Sequence, residues 1–208
     1  MKNANQKTTT ARLKVSPGNS KLGAIPSVSF PPVVTCAEGV PCVRDCYACK
    51  LCRIYANVRD SYRENLEYYR TDPDGFFTEL KAHLTLNRYF RMFVSGDFPD
   101  FGFLVRFMRT ATACPGCIIL VFTKRYKWVN DYITECGNIP ENVRLILSGW
   151  DEWQPENPYN LPQSQVIFRG QTPPDTWKIC GGNCTDCICR GVGCWELKKG
   201  ETIAFYKH

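Results

Sequence analysis

The apolar positions of this chain change period several times. Over residues 49–69 apolar and aromatic side chains recur at helical spacing among Arg, Glu and Tyr, and the stretch 71–75, Thr-Asp-Pro-Asp-Gly, breaks the pattern. A second helix is predicted over 76–86, with Phe77, Leu80 and Leu84 on one face. From there short apolar runs alternate with helical ones. Strands are predicted at 89–94, 117–122, 143–147 and 165–168, and helices at 100–113, carrying Phe103, Phe107 and Ala111, and at 127–136, stopped by Gly137. Strand–loop–helix alternation of this kind argues for a parallel sheet with covering helices. The units are too few for a closed eight-stranded barrel. The expected fold is therefore α/β: a partial, open parallel β/α barrel with a cysteine-rich N-terminal loop and a cysteine-rich C-terminal tail at 178–208. A single domain is expected over 12–208, preceded by a flexible basic leader at 1–11. Residues 149–162, with Trp150, Trp153, Pro155, Pro158 and Pro162, read as an irregular loop.

Polar residues follow each predicted strand: Ser95-Gly96-Asp97, Thr123-Lys124, Ser148 and Arg169. In parallel α/β folds ligands bind at the carboxyl ends of strands, so Ser95, Gly96, Asp97, Thr123, Lys124 and Ser148 are the candidate cofactor-binding residues. Asp97 and Lys124 are the candidate catalytic groups. Any strand must also end in a polar turn, and that plainer reading applies to each residue taken alone.

Composition changes the picture at one residue type. The chain of 208 residues has 13 cysteines, 44% hydrophobic and 22% charged residues, an ordinary globular balance. Cys36, Cys42, Cys46, Cys49 and Cys52 fall within one short stretch that contains C-x3-C-x2-C; Cys180, Cys184, Cys187, Cys189 and Cys194 form a second knot. No apolar secretory run opens the sequence, and the longest apolar run, 117–122, is too short to cross a bilayer. A cytoplasmic protein without membrane partners is the expectation. Its thiols stay reduced there, which favours metal ligation over disulfides.

Three thiolates from one loop leave an open position on a cubane iron, and Cys36 or Cys52 could close it. In the second knot Cys189 lies too near Cys187 for easy convergence. The expected metal ligands are therefore Cys36, Cys42, Cys46, Cys49, Cys180, Cys184, Cys187 and Cys194, holding one or two 4Fe-4S clusters. Zinc is the alternative, although neither knot has the paired C-x2-C form of a zinc ribbon. Cys114 and Cys117 precede a buried strand and read as two reduced thiols. Arg59, Arg63 and Asn65 either face an anionic ligand or form a solvated helical face; Asn19-Ser20-Lys21 is a binding loop or a turn.

Most of the net charge of +6 is carried by the first 35 residues, which hold Lys2, Lys7, Arg12, Lys14 and Lys21 and no acid. A solvated tail is the default for such a segment, and a nucleic-acid contact the alternative.

At Cys42-x3-Cys46-x2-Cys49 the chain resembles radical S-adenosylmethionine enzymes. That resemblance implies a cluster at the mouth of a partial barrel and S-adenosylmethionine on its open iron. It also implies Ser95-Gly96-Asp97 where the methionine amine is gripped, and an electron donor such as a ferredoxin or flavodoxin. The chain is also similar to the "gene product 88" proteins of phages and mobile elements. The matching pieces are Asn19-Ser20-Lys21, Cys36-x5-Cys42-x3-Cys46-Tyr47-Ala48, Ser95-Gly96-Asp97-Phe98, Phe122-Thr123-Lys124 and the cysteine-rich end finishing in Lys207-His208. This second pattern stresses Cys36, Cys42 and Cys46 and implies no established activity. The two functional expectations are a radical S-adenosylmethionine-like enzyme and a non-enzymatic iron–sulfur redox, sensor or nucleic-acid-associated protein; a structural zinc protein is the third.

Overall fold

The computed structural model describes residues 12–207; the leader expected at 1–11 lies outside them, as does His208. The strands are β1 (Ser27–Val28), β2 (Tyr89–Met92), β3 (Ile118–Thr123), β4 (Val143–Ser148), β5 (Gln163–Ile167), β6 (Lys178–Ile179) and β7 (Thr202–Tyr206). They form one seven-stranded sheet in the order β1-β2-β3-β4-β5-β7-β6, open at both edges. Every neighbouring pair is parallel. The helices are α1 (Tyr47–Ile54), α2 (Ala56–Thr71), α3 (Pro73–Leu86), α4 (Phe101–Thr112), α5 (Tyr126–Cys136) and α6 (Cys184–Cys189).

The strand period of two sorts side chains onto two faces. On one face Phe90, Met92, Ile119, Val121, Leu145 and Leu147 pack against Phe76 and Leu80 of α3, Phe103 and Phe107 of α4 and Val129 of α5. Phe103 is the hub of this layer. Its ring lies 4.8–6.2 Å, centre to centre, from those of Phe30, Tyr69, Phe76, Phe77, Phe93 and Phe98. On the other face Leu120, Ile146 and Ile203 meet Leu22, Ile25, Trp195 and Leu197, with Cys180, Cys184, Cys187 and Cys194 in the same layer. Helices thus cover one side, and the cysteine-rich tail covers the other. The central strands are buried on both faces, which is why 117–122 reads as an unbroken apolar run.

Three boundaries differ from the sequence reading. The helix expected over 49–69 is two helices, because Tyr55, at φ −113° and ψ 100°, leaves helical geometry between α1 and α2. The break expected over 71–75 is one residue wide. Asp72 caps α3 by accepting from the Gly75 amide at 2.9 Å, and Pro73 sits in the first turn, where no amide is needed. The strand expected at 165–168 begins two residues earlier, at Gln163. The pattern did not announce β1, β6 and β7. Two of them are two residues long, and β7 follows the cysteine-rich segment after Gly200.

Among the described residues, no helix is long and apolar enough to cross a membrane.

Candidate functional site

The carboxyl ends of β1 to β4 are tied together by a buried polar network centred on Asp97. Its Oδ1 accepts from the Phe98 amide at 2.8 Å and from the Thr123 hydroxyl at 2.6 Å; its Oδ2 accepts from the Lys124 amide at 2.7 Å. The Asp97 amide donates to Oγ1 of Thr35 at 3.0 Å, and Thr35 donates on to the Pro31 carbonyl. Lys124 reaches across to Ser148, Nζ to Oγ 2.7 Å. Ser29 accepts from the amides of Val94 and Ser95. The Ser95 hydroxyl is closed off from solvent and has no hydrogen-bond partner among the described residues. Burial pushes the Asp97 carboxyl above its ordinary range, opposed by its three donors and by the Arg125 charge.

Gly96 lets this corner form. At φ +77°, a Cβ there would lie 2.5 Å from Oγ1 of Thr35 and 2.8 Å from the Phe30 carbonyl oxygen. Gly96→Ala is expected to destabilise the fold by about 2–4 kcal/mol, from left-handed strain plus the backbone clash, measured by urea unfolding.

Thr35 and Arg125 belong to this site although the sequence reading did not single them out. Arg125 donates to the Thr35 carbonyl at 2.8 Å and to the Phe98 carbonyl at 3.3 Å, and stacks over Trp128. Thr35 adjoins Cys36 and Arg125 adjoins Lys124. That adjacency was the available signal.

The N-terminal cysteine loop lies over these strand ends. Its short helical turn, Pro41–Asp45, is pinned to the end of β7, Asp45 Oδ2 to Lys207 Nζ 2.8 Å. Tyr47 of α1 donates to the Val94 carbonyl at the end of β2. Cys36 accepts from the Val33 amide at 3.3 Å; burial pushes its thiol up to about 11, and the charges of Asp97, Cys42 and Cys46 act on it. Burial also raises Cys42, and the nearby Lys124 ammonium opposes that rise. The loop is tied to this corner through Thr35, the residue before Cys36, which accepts from the Asp97 amide. Burial and the proximity of Cys46 and Cys52 push Cys49 up to about 11. Burial raises Cys52 too, beside Cys46 and Arg59. A cavity of about 560 Å³ opens next to the loop, lined by Val33, Cys36, Glu38, Val40, Val43 and Arg44.

The C-terminal thiols gather on the other face of the sheet. The Cys180 amide donates to Ala204 of β7 at 2.9 Å, and the Cys184 amide to the Lys21 carbonyl at 2.9 Å. Gly193, at φ +77°, brings the backbone against Cys187, where a Cβ would meet Sγ at 3.1 Å. Burial pushes Cys194 up to about 12 and raises Cys184 and Cys187, and the charge of Cys180 adds to the rise at all three. Cys189 is exposed.

All thirteen cysteines are free thiols. Among the described residues, no three Cys, His, Asp or Glu side chains are placed so that they could hold a metal ion as they stand.

Other singled-out residues have structural places. Asn65 is buried and bridges the Lys14 backbone, at 2.7 and 2.9 Å, to the Ser29 carbonyl. Arg59 and Arg63 are exposed and pair with Asp60. Asn19 folds its own turn, accepting from the amides of Lys21 and Leu22 at 2.9 Å. Cys114 and Cys117 are buried at the mouth of β3, where Asn142 ties their carbonyls together.

The molecule is thus an α/β protein with an open parallel sheet, one cysteine loop across its strand ends and a second cysteine segment on one face. It matches the family described as gene product 88 over residues 1–200 and belongs to that family. Comparison with curated proteins and with solved structures returns no match.

Proposed function

We propose that the chain is an iron–sulfur protein of radical S-adenosylmethionine type, working at the carboxyl edge of its sheet as a partial barrel would. The observation that supports this most is the placement of the N-terminal cysteine loop, tied to the Asp97 corner through Thr35, over the ends of β2, β3 and β4. Cys42 and Cys46 would hold the cluster with Cys49 as the third ligand, and Cys36 is the thiol available to close it. The donor set is soft and anionic when deprotonated, as iron–sulfur ligation requires. Drawing the sulfurs onto one centre takes side-chain rotation within the loop.

A bound cluster of this kind supplies one electron at low potential to a sulfonium cofactor. The chain's own residues prepare the place. The Lys124 ammonium lowers the cost of a thiolate at Cys42. Asp97 spends both carboxylate oxygens on Phe98, Thr123 and Lys124, so it is a positioning residue rather than a proton acceptor. The unpartnered Ser95 hydroxyl is left to bind a polar cofactor group such as an amine. Ser148 holds the Lys124 ammonium above β4. An external one-electron donor of the ferredoxin or flavodoxin class is implied, and so is a reducing compartment such as the cytoplasm.

Anaerobic reconstitution followed by reduction with dithionite and S-adenosylmethionine is expected to release 5′-deoxyadenosine. A chain with a full complement of iron and acid-labile sulfide that releases none rejects the enzymatic reading and leaves a redox or sensor protein. Stoichiometric zinc without labile sulfide rejects iron altogether.

A further inference from the structure

A second cavity, of about 340 Å³, has no cysteine in its lining. Leu147 packs on the helix-covered face of the sheet and pairs with Gln163, so Gln163, Gln165 and Ile167 of β5 share that face. Gln165 lines the cavity from the strand, Asp151 and Gln154 from the loop before β5, and Gln171, Pro173 and Trp177 from the loop after it. The rings of Trp150 and Phe168, edge to face at 5.5 Å, join the two loops.

Hydrogen bonds fix which way each amide points. The Asp151 carbonyl only accepts, so Gln154 donates to it through Nε2 and keeps Oε1 as an acceptor. Gln165 therefore donates to Gln154 through Nε2. Oε1 of Gln165 accepts from no donor among the described residues, although the residue is only 5% exposed. It is not sealed off as the Ser95 hydroxyl is, and it opens where Gln165 lines the cavity. Gly149 makes room for this amide: a Cβ there would lie 2.2 Å from Nε2 and 2.5 Å from Oε1 of Gln165. The Phe168 amide only donates, so Gln171 accepts from it through Oε1 at 2.8 Å and keeps Nε2 as a donor. The exposed Asp151 carboxylate is in no ion pair among the described residues.

The cavity thus offers two acceptors, Oε1 of Gln165 and the Asp151 carboxylate, and one donor, Nε2 of Gln171, beside the flat side chains of Trp177 and Pro173. No Lys or Arg lines it among the described residues, so it suits an uncharged group rather than a phosphate. Its volume lies at the lower end of the roughly 300–1,000 Å³ of small-molecule sites. A planar heterocycle matches these features, stacked on an aromatic ring and read along its edge by amides and a carboxylate. Guanine carries two neighbouring N–H donors and one carbonyl acceptor on a single edge. We propose that this cavity binds a guanine base, with Asp151, Gln165 and Gln171 reading its edge and Trp177 stacking on its face. The site goes beyond the iron–sulfur reading and does not depend on it.

Isothermal titration of the full chain, without cluster reconstitution, against guanosine, adenosine, cytidine and uridine is the test. Guanosine is expected to bind about tenfold more tightly than the other three. Asp151→Asn is expected to abolish that preference. Gln171→Glu, which keeps an acceptor for the Phe168 amide, is expected to weaken guanosine binding about tenfold. Asp151 and Gln171 are both exposed, so these variants leave the fold in place, with circular dichroism as the check. Trp177→Ala is expected to weaken all binding about tenfold through lost stacking. The dinucleotide guanylyl-uridine separates two sources of the base. Tighter binding than guanosine assigns the site to a guanine carried on a strand, equal binding assigns it to a free nucleoside, and both support the proposal. No binding of guanosine at millimolar concentration overturns it. So does adenosine binding as tightly as guanosine, or guanosine affinity unchanged in both Asp151→Asn and Gln171→Glu.

Discussion

Asp97→Ala is expected to destabilise the fold by about 3–5 kcal/mol, because it strands the Phe98 amide, the Thr123 hydroxyl and the Lys124 amide with no acceptor in a buried corner. Urea unfolding of the two chains measures the difference. The variant is also expected to free the Lys124 backbone at the end of β3, moving its ammonium away from Cys42 and Ser148. The pH dependence has a definite sign. Burial, the largest influence, puts the folded-state pKa of Asp97 above its unfolded value of 3.8. The folded chain therefore binds this proton more tightly than the unfolded chain does. The contribution of Asp97 to stability is complete below the unfolded value and is lost as pH rises through the raised folded value. The stability gap between wild type and Asp97→Ala is expected to narrow over that window and to stay level above it. A gap that widens with rising pH would show that the three donors and Arg125 outweigh burial.

Cys46→Ser is expected to remove about four irons per chain, the content of one cubane, and with them all release of 5′-deoxyadenosine. Any iron and labile sulfide bound by Cys180, Cys184, Cys187 and Cys194 is expected to remain, since they lie on the face of the sheet and not over its edge. Cys46 is half-buried at the residue preceding α1, and no side-chain hydrogen bond caps that helix, so the substitution leaves the fold in place. The same measurement on Cys36→Ser and Cys49→Ser identifies the third ligand as whichever variant copies Cys46→Ser. Iron content unchanged in Cys46→Ser removes this cysteine from the ligand set and, with it, the C-x3-C-x2-C reading.

The long periodic segments were legible before any coordinates. α3, α4 and α5 fall within a few residues of their expected bounds, because each carries an apolar stripe that a helix buries, and Asp72, Asp100 and Gly137 mark their ends. β2, β3 and β4 were legible for the matching reason: short apolar runs bounded by polar residues. β1 and β6 were not, since two residues carry no period. Their partners across the sheet, Arg91 and Met92 for β1 and Ile203 and Ala204 for β6, make them strands. The candidate site was legible as a set of polar strand ends. What those residues do to each other was not. Asp97 read as a candidate catalytic or cofactor-binding carboxylate, and three donors occupy it; Asn65 read as facing either a ligand or solvent, and it clamps two backbone segments.

By itself the amino-acid sequence determined the α/β class, the parallel alternation, the two cysteine knots and the polar strand ends, because each of these is a local pattern of residue type and spacing. Only the tertiary structure decided that the first knot lies over the carboxyl edge near Asp97, and that the second lies against a face of the sheet. Those placements depend on groups far apart in the chain, such as Asp45 with Lys207 and the Cys184 amide with the Lys21 carbonyl. Strand order and the sidedness of each strand bring such pairs together, and neither is written in the spacing of neighbouring residues.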